Sequence, residues 1–187
     1  MISPGLIARV AILAVVASIV EIAAVSQVSI FGVSADLSPL VVMSIGLLAG
    51  SVSGAVTGFA IGLFLDLALV QTLGVSSLVY LVVGYWAGRL RELRDPQASL
   101  TPVLVGALAT AVATGGYSVV QFLLGVDAPV SFLLVRQILT TILVNTVIAL
   151  PVYAVVRRWL EPALPDDPRR RRRRAYTTGG LSPLTRA

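Results

Sequence analysis

The chain reads as an all-α protein, a polytopic membrane helical bundle of about six transmembrane segments. Three observations predict that class. Apolar residues make up 57% of the 187 residues and charged residues only 12%, giving a mean hydropathy of +0.93; a soluble domain of this length needs more polar surface to stay in solution. The apolar residues lie in runs near the roughly 20 that an α-helix needs to cross a hydrocarbon core. The basic charge is all arginine, 14 residues with no lysine, and it collects between and after those runs, as it does in cytoplasmic loops.

Composition also narrows the chemistry. There is no cysteine and no histidine, which removes disulfides, thiol catalysis and the commonest metal ligand. No Walker motif, dinucleotide fingerprint or Gly-x-Ser-x-Gly is present, and no nucleophile is set beside a base. The sequence therefore predicts no enzyme, no cofactor and no metal site. The formal charge of +5 reports membrane orientation, and no nucleic acid is expected, because no aromatic stacking platform accompanies the basic run.

Segment one covers residues 7–31. Its Val10–Val20 run is expected to be a retained helix and not a cleaved leader, since only Arg9 precedes it and Glu21 interrupts it before a good cleavage site. Asp36 and Pro39 then break the chain. Leu40–Val70 is an almost continuous apolar stretch of 31 residues, roughly 46 Å long as one helix against a core of about 30 Å. It is either one steeply tilted span or two short segments, 39–50 and 54–70, turning near Ser51–Gly54. Arginine position favours two segments. Only then do Arg9, the Arg89/Arg91/Arg94 loop and the arginines from Arg157 to Arg174 share one side. A re-entrant hairpin gives the same parity, and the shortness of segment two keeps that option open.

Segments 75–88, 100–124 and 132–157 complete a membrane domain over residues 1–160. Both termini then face the cytoplasm, with Asp36, the Gln71–Gly74 turn and Asp127 outside. Residues 161–187 differ in kind. Pro162, Pro165 and Pro168 exclude a continuing helix. Arg169, Arg170, Arg171, Arg172, Arg173 and Arg174 follow, with almost nothing to bury. This tail is expected to be disordered; it either binds anionic lipid or only anchors topology.

Inside the apolar stretch, Gly46, Gly50, Gly54, Gly58 and Gly62 recur every fourth residue. Each four-residue step is 400° of helix rotation, so they form one slowly drifting stripe. Membrane helices gain little from the hydrophobic effect on association and pack closely where residues are small. The stripe is either an internal packing seam or a surface for another chain, with Gly58 and Gly62 the positions a partner helix could approach. Intramembrane polar residues are few: Glu21, Asp66, Arg136 and Asn145. Such groups are costly and normally paired. Matched depth suggests Asp66 with Arg136, and Asn145 as a partner for Glu21. The pairs either brace the bundle or line a pathway.

The stretch GAVTGFAIGLFLDLALVQTLGVSSLVYLVVGY, with Gly62-Leu63-Phe64-Leu65-Asp66, the Leu73-Gly74 turn and Leu81–Tyr85, resembles the rod shape-determining protein MreD family, and Pro39 also fits. Segment order extends the resemblance over roughly residues 5–160; the arginine tail lies outside it. The resemblance implies a non-enzymatic scaffold of the cell-wall elongation machinery in the bacterial inner membrane. Its implied partners are the bitopic protein MreC and, in a larger complex, a RodA-type glycosyltransferase with its transpeptidase. A homodimer stays open. The family's fold is similar to the substrate-binding subunits of energy-coupling-factor transporters, which supplies the alternative of a vitamin-type binding subunit. Short outer loops with few polar or aromatic residues argue against that alternative.

Overall fold

The computed structural model describes residues 4–27, 29–30, 33–34, 36–93, 101–125 and 132–164. Arg94, Asp127 and the arginines Arg169 to Arg174 lie outside the described residues. The elements run α1 Pro4–Gln27, β1 Ser29–Ile30, β2 Val33–Ser34, α2 Ser38–Ala49, α3 Ser51–Ala68, α4 Val75–Leu93, α5 Thr101–Leu123 and α6 Phe132–Leu160, ending in a 3₁₀ turn at Glu161–Ala163. The protein is a helical bundle; β1 and β2 are a two-residue antiparallel pair, Ile30 opposite Val33, between α1 and α2.

Four helices are long and apolar enough to cross a membrane, within Pro4–Ala23, Ser51–Ala68, Thr101–Leu123 and Val135–Ala163. Helix α4 falls outside that set because its last turns carry Arg89, Arg91 and Glu92, yet it lies along α3 as its principal neighbour. Helix α2 is the exception. Its 12 residues rise about 18 Å, well short of a core about 30 Å thick. Every residue from Ser38 to Leu48 is buried, and α2 touches all five other helices. It enters the bundle without crossing it.

Local sequence explains these boundaries. Pro39 stands in the first turn of α2, where its missing N–H costs nothing. The α2–α3 bend is a single residue, Gly50, at φ +98°, a conformation that penalises any Cβ. The expected turn over Ser51–Gly54 is therefore helical instead, since one left-handed residue suffices to reverse the chain. The expected charged loop from Arg89 likewise begins later, because α4 continues as helix through Leu93.

The glycine stripe packs α3 and α2 against α4. A methyl group on Gly46 would lie 2.6 Å from the Gly84 carbonyl oxygen, and one on Gly62 would lie 2.5 Å from the Ser77 backbone. Methyl groups on Gly54 and Gly58 would overlap the carbonyls of Gly84 and Tyr80. Helix α4 answers in the same period, with Ser76, Tyr80, Gly84 and Gly88 at the contact. Gly58 and Gly62 thus face α4 backbone and not an outside partner. At such contact distances dispersion between the two backbones is near its optimum, and any bulk separates the helices along their length.

Bulk in this seam is expected to overpack it, at about 1–3 kcal/mol or more per site. Gly58→Leu and Gly84→Leu should each lower the melting temperature in detergent sharply. Gly115→Ala, with nothing within 4 Å of the added methyl, should leave it essentially unchanged. Equal tolerance at Gly58 and Gly115 would contradict the seam.

Candidate functional site

The ends of α2 are the chemical centre of the bundle. A helix leaves its first N–H and last C=O groups without intrahelical partners, and inside a membrane there is no water to take them. The N-terminus is served by α1. Glu21 Oε2 accepts from the Leu37 N–H at 2.7 Å and from the Ser38 N–H at 3.2 Å. The C-terminus is served by α4, where Arg91 Nη1 donates to the Leu48 carbonyl. A carboxylate at the N-terminus and a guanidinium at the C-terminus also oppose the helix dipole.

Around the head of α2 the other helices contribute one polar layer. Asn145 on α6 donates to the Asp36 carbonyl at 2.7 Å and to Thr110 Oγ1 at 3.2 Å. Thr110 donates in turn to the Gly106 carbonyl at 3.0 Å. Tyr80 on α4 points its hydroxyl at the Asp36 carboxylate, 3.4 and 3.5 Å from the two oxygens. The Glu21 and Asp36 carboxyl groups are neighbours. Glu21, Ser38, Tyr80, Thr110 and Asn145 are all buried.

Helix rise fixes the depth of this layer. Arg9 and Trp159 mark one end of the bundle, joined by Arg9 Nη1 to the Trp159 carbonyl at 2.8 Å and by Trp159 Nε1 to the Arg9 carbonyl at 3.3 Å. Arg91 over Leu48 places the ends of α2 and α4 at the same level. From Arg9 to Glu21, and from Arg157 to Asn145, is about 18 Å of helix. Asp36, expected outside the membrane, therefore lies well inside the bundle, because the short α2 holds its own head at that depth. Arg9, Arg89, Arg91, Arg157 and Arg158 share the arginine end, and Arg136 stands toward the other.

The expected pairings differ in the structure. Asp66 Oδ2 accepts from the Gly74 N–H at 2.8 Å, and Oδ1 is buried without a hydrogen-bond partner. Arg136 is exposed and does not pair with it. The reason is local: the α3–α4 turn brings Gly74, at φ +92°, back over the last turn of α3 and gives one carboxylate oxygen a donor from its own chain. A second polar set ties this turn to α5, through Tyr117 to Gln71, Gln121 to Tyr117, and Thr72 to Gln121. Asn145 meets Asp36 backbone and not Glu21, although both serve the α1–α2 connection. Sequence reasoning missed the roles of Asp36, Arg91, Tyr80 and Thr110. The place of Arg91 among the clustered arginines was visible, but its acceptor on α2 is a backbone group that no side-chain pattern marks.

Glu21→Ala is expected to strand two buried donors at about 1–3 kcal/mol each, while Glu21→Gln keeps an acceptor and most of that stability. Thermal unfolding of both variants in one detergent checks this; equal losses would show that the Leu37 and Ser38 amides do not depend on the side-chain oxygen.

No curated protein and no solved structure matches the chain. The family described as rod shape-determining protein MreD matches residues 5–160, a range that takes in the α3–α4 seam, the polar layer and the short α2. The chain belongs to the rod shape-determining protein MreD family.

Proposed function

We propose that the protein is a non-enzymatic membrane scaffold of the bacterial cell-wall elongation complex, binding an MreC-like bitopic protein and supporting peptidoglycan synthesis by a RodA-type glycosyltransferase and its transpeptidase. The family match over residues 5–160 carries this reading. A tightly packed interior suits it. The glycine seam and the capped α2 make a rigid body, and a scaffold acts by presenting a fixed outer surface. With Gly58 and Gly62 committed to α4, the partner contact belongs on the lipid-facing sides of the helices or on their end turns.

The protein is placed in the inner membrane with the arginine end cytoplasmic, as the positive-inside rule directs. The tail residues Arg169 to Arg174 then meet anionic headgroups, each arginine near the surface contributing about 1 kcal/mol.

Purification in mild detergent should recover an MreC-like protein with the wild type and with a variant lacking residues 165–187. Reporter fusions after Arg94 and after Arg158 should both read cytoplasmic, and one after Asp127 external. Absence of any wall-synthesis protein from the purified complex would sink the scaffold reading, and an external signal at Arg94 would sink the topology.

A further inference from the structure

Glu21 is buried and Asp36 half-buried, and their carboxyl groups are hydrogen-bonded to each other. An ionised carboxylate only accepts, so that contact requires a proton between the two. The other contacts say where it sits. Glu21 Oε2 accepts from the Leu37 and Ser38 amides, which leaves Oε1 to carry the hydrogen. Asp36 accepts it, along with the Ser38 N–H and the Tyr80 hydroxyl, which faces both of its oxygens. The pair therefore holds one proton and one negative charge.

One charge suits its surroundings. The head of α2 offers about half a positive charge, and no cationic side chain stands beside the pair among the described residues. Arg9 is twelve residues from Glu21 along α1, Arg89 nine from Tyr80 along α4, and Arg136 nine from Asn145 along α6. Nine residues of helix are about 13 Å. Helix α2 carries no charged residue, Thr110 on α5 and Asn145 on α6 bring no charge, and Asp66 on α3 adds to the negative field at Tyr80. A second negative charge, in contact with the first and with nothing opposite, would not be held.

We propose that this shared proton is a latch between α1 and the head of α2. Bound, it keeps Glu21 seated over the Leu37 and Ser38 amides. It is released when the O–H bond of Glu21 breaks, the electron pair stays on oxygen and the proton passes to solvent. The two carboxylates then repel, and the head of α2 parts from α1. The Arg9–Trp159 tie at the arginine end lies twelve residues away along α1 and is untouched, so α1 pivots there and stays with the bundle. The latch is independent of the wall-synthesis role, and neither rests on the other.

The test uses the purified full chain in detergent. The chain has no histidine, so no unperturbed side chain titrates between about pH 5 and 8. Above about pH 5 an unfolded chain has released this proton while the folded pair keeps it, so stability falls as pH rises. The melting temperature should drop by about 3 °C per pH unit until the folded pair releases its proton as well. Glu21→Gln gives Asp36 a permanent donor and the amides an acceptor, and should remove the slope. The wild type should show an infrared band of a protonated carboxyl that Glu21→Gln abolishes. Opening is read by maleimide labelling of Ser38→Cys, divided by that of Leu73→Cys at the same pH. This ratio should rise about tenfold per pH unit until the proton is fully released, and stay flat when Glu21→Gln is added. Where Ser38→Cys does not fold, amide hydrogen exchange over residues 36–40, wild type against Glu21→Gln at each pH, gives the same reading. Absence of the infrared band, or a flat wild-type melting temperature across that range, would overturn the shared proton. A slope with no rise in labelling or exchange would make the proton a fixed brace and sink the latch.

Discussion

Everything in this bundle depends on a helix whose head is held deep inside it, away from water. Helix α2 is apolar along its sides, so its burial needs no explanation there; its ends do. Inside a bilayer each unsatisfied backbone group costs several kcal/mol. Glu21 takes the Leu37 and Ser38 amides, and Arg91 reaches the Leu48 carbonyl. These two contacts come from α1 and α4, so they also fix where those helices stand. The protein places an acid and a base about a helix length apart, each matched to the end of the dipole it opposes.

The glycine seam is the other half of the same constraint. Holding α2 inside the bundle requires α3 to return alongside it and α4 to close over both. Gly46 and Gly54 meet the one Gly84 carbonyl from two helices, a junction that any side chain would open. Small residues on α4, at Ser76, Gly84 and Gly88, are as necessary as those on α3. Gly46 on α2 and Gly54, Gly58 and Gly62 on α3 are thus half of a reciprocal surface, met by about three turns of α4 from Ser76 to Gly88. The resulting interior is rigid, and recognition of other chains is left to the outside of the bundle.

Much of this was legible in the sequence. Segment order, the break before Pro39 and the shortness of segment two follow from apolar run lengths. The sidedness of the arginines alone separates a hairpin from a single span. What the sequence could not carry is which backbone group a charge meets. Asp66 and Arg136 match in depth, but depth says nothing of angle around the bundle, and the nearby Gly74 amide takes the carboxylate first. Glu21 and Arg91 act on peptide groups of α2, which are the same for every sequence and leave no trace in side-chain pattern. The partner face of the stripe was undecidable for a related reason: a small-residue seam looks alike whether the second helix belongs to the same chain or another.

With its head about 18 Å from the arginine end, α2 is proposed to enter the membrane without crossing it. The chain has no cysteine, so single cysteines report cleanly. Ser38→Cys and Leu73→Cys, the latter in the exposed α3–α4 turn, can be compared in intact cells with a membrane-impermeant maleimide. Rapid labelling is expected at Cys in place of Leu73 and none in place of Ser38, from either side of the membrane in inverted vesicles as well. Labelling at both positions from outside, at similar rates, would mean that α2 reaches the outer surface as a full span, and the account would be wrong.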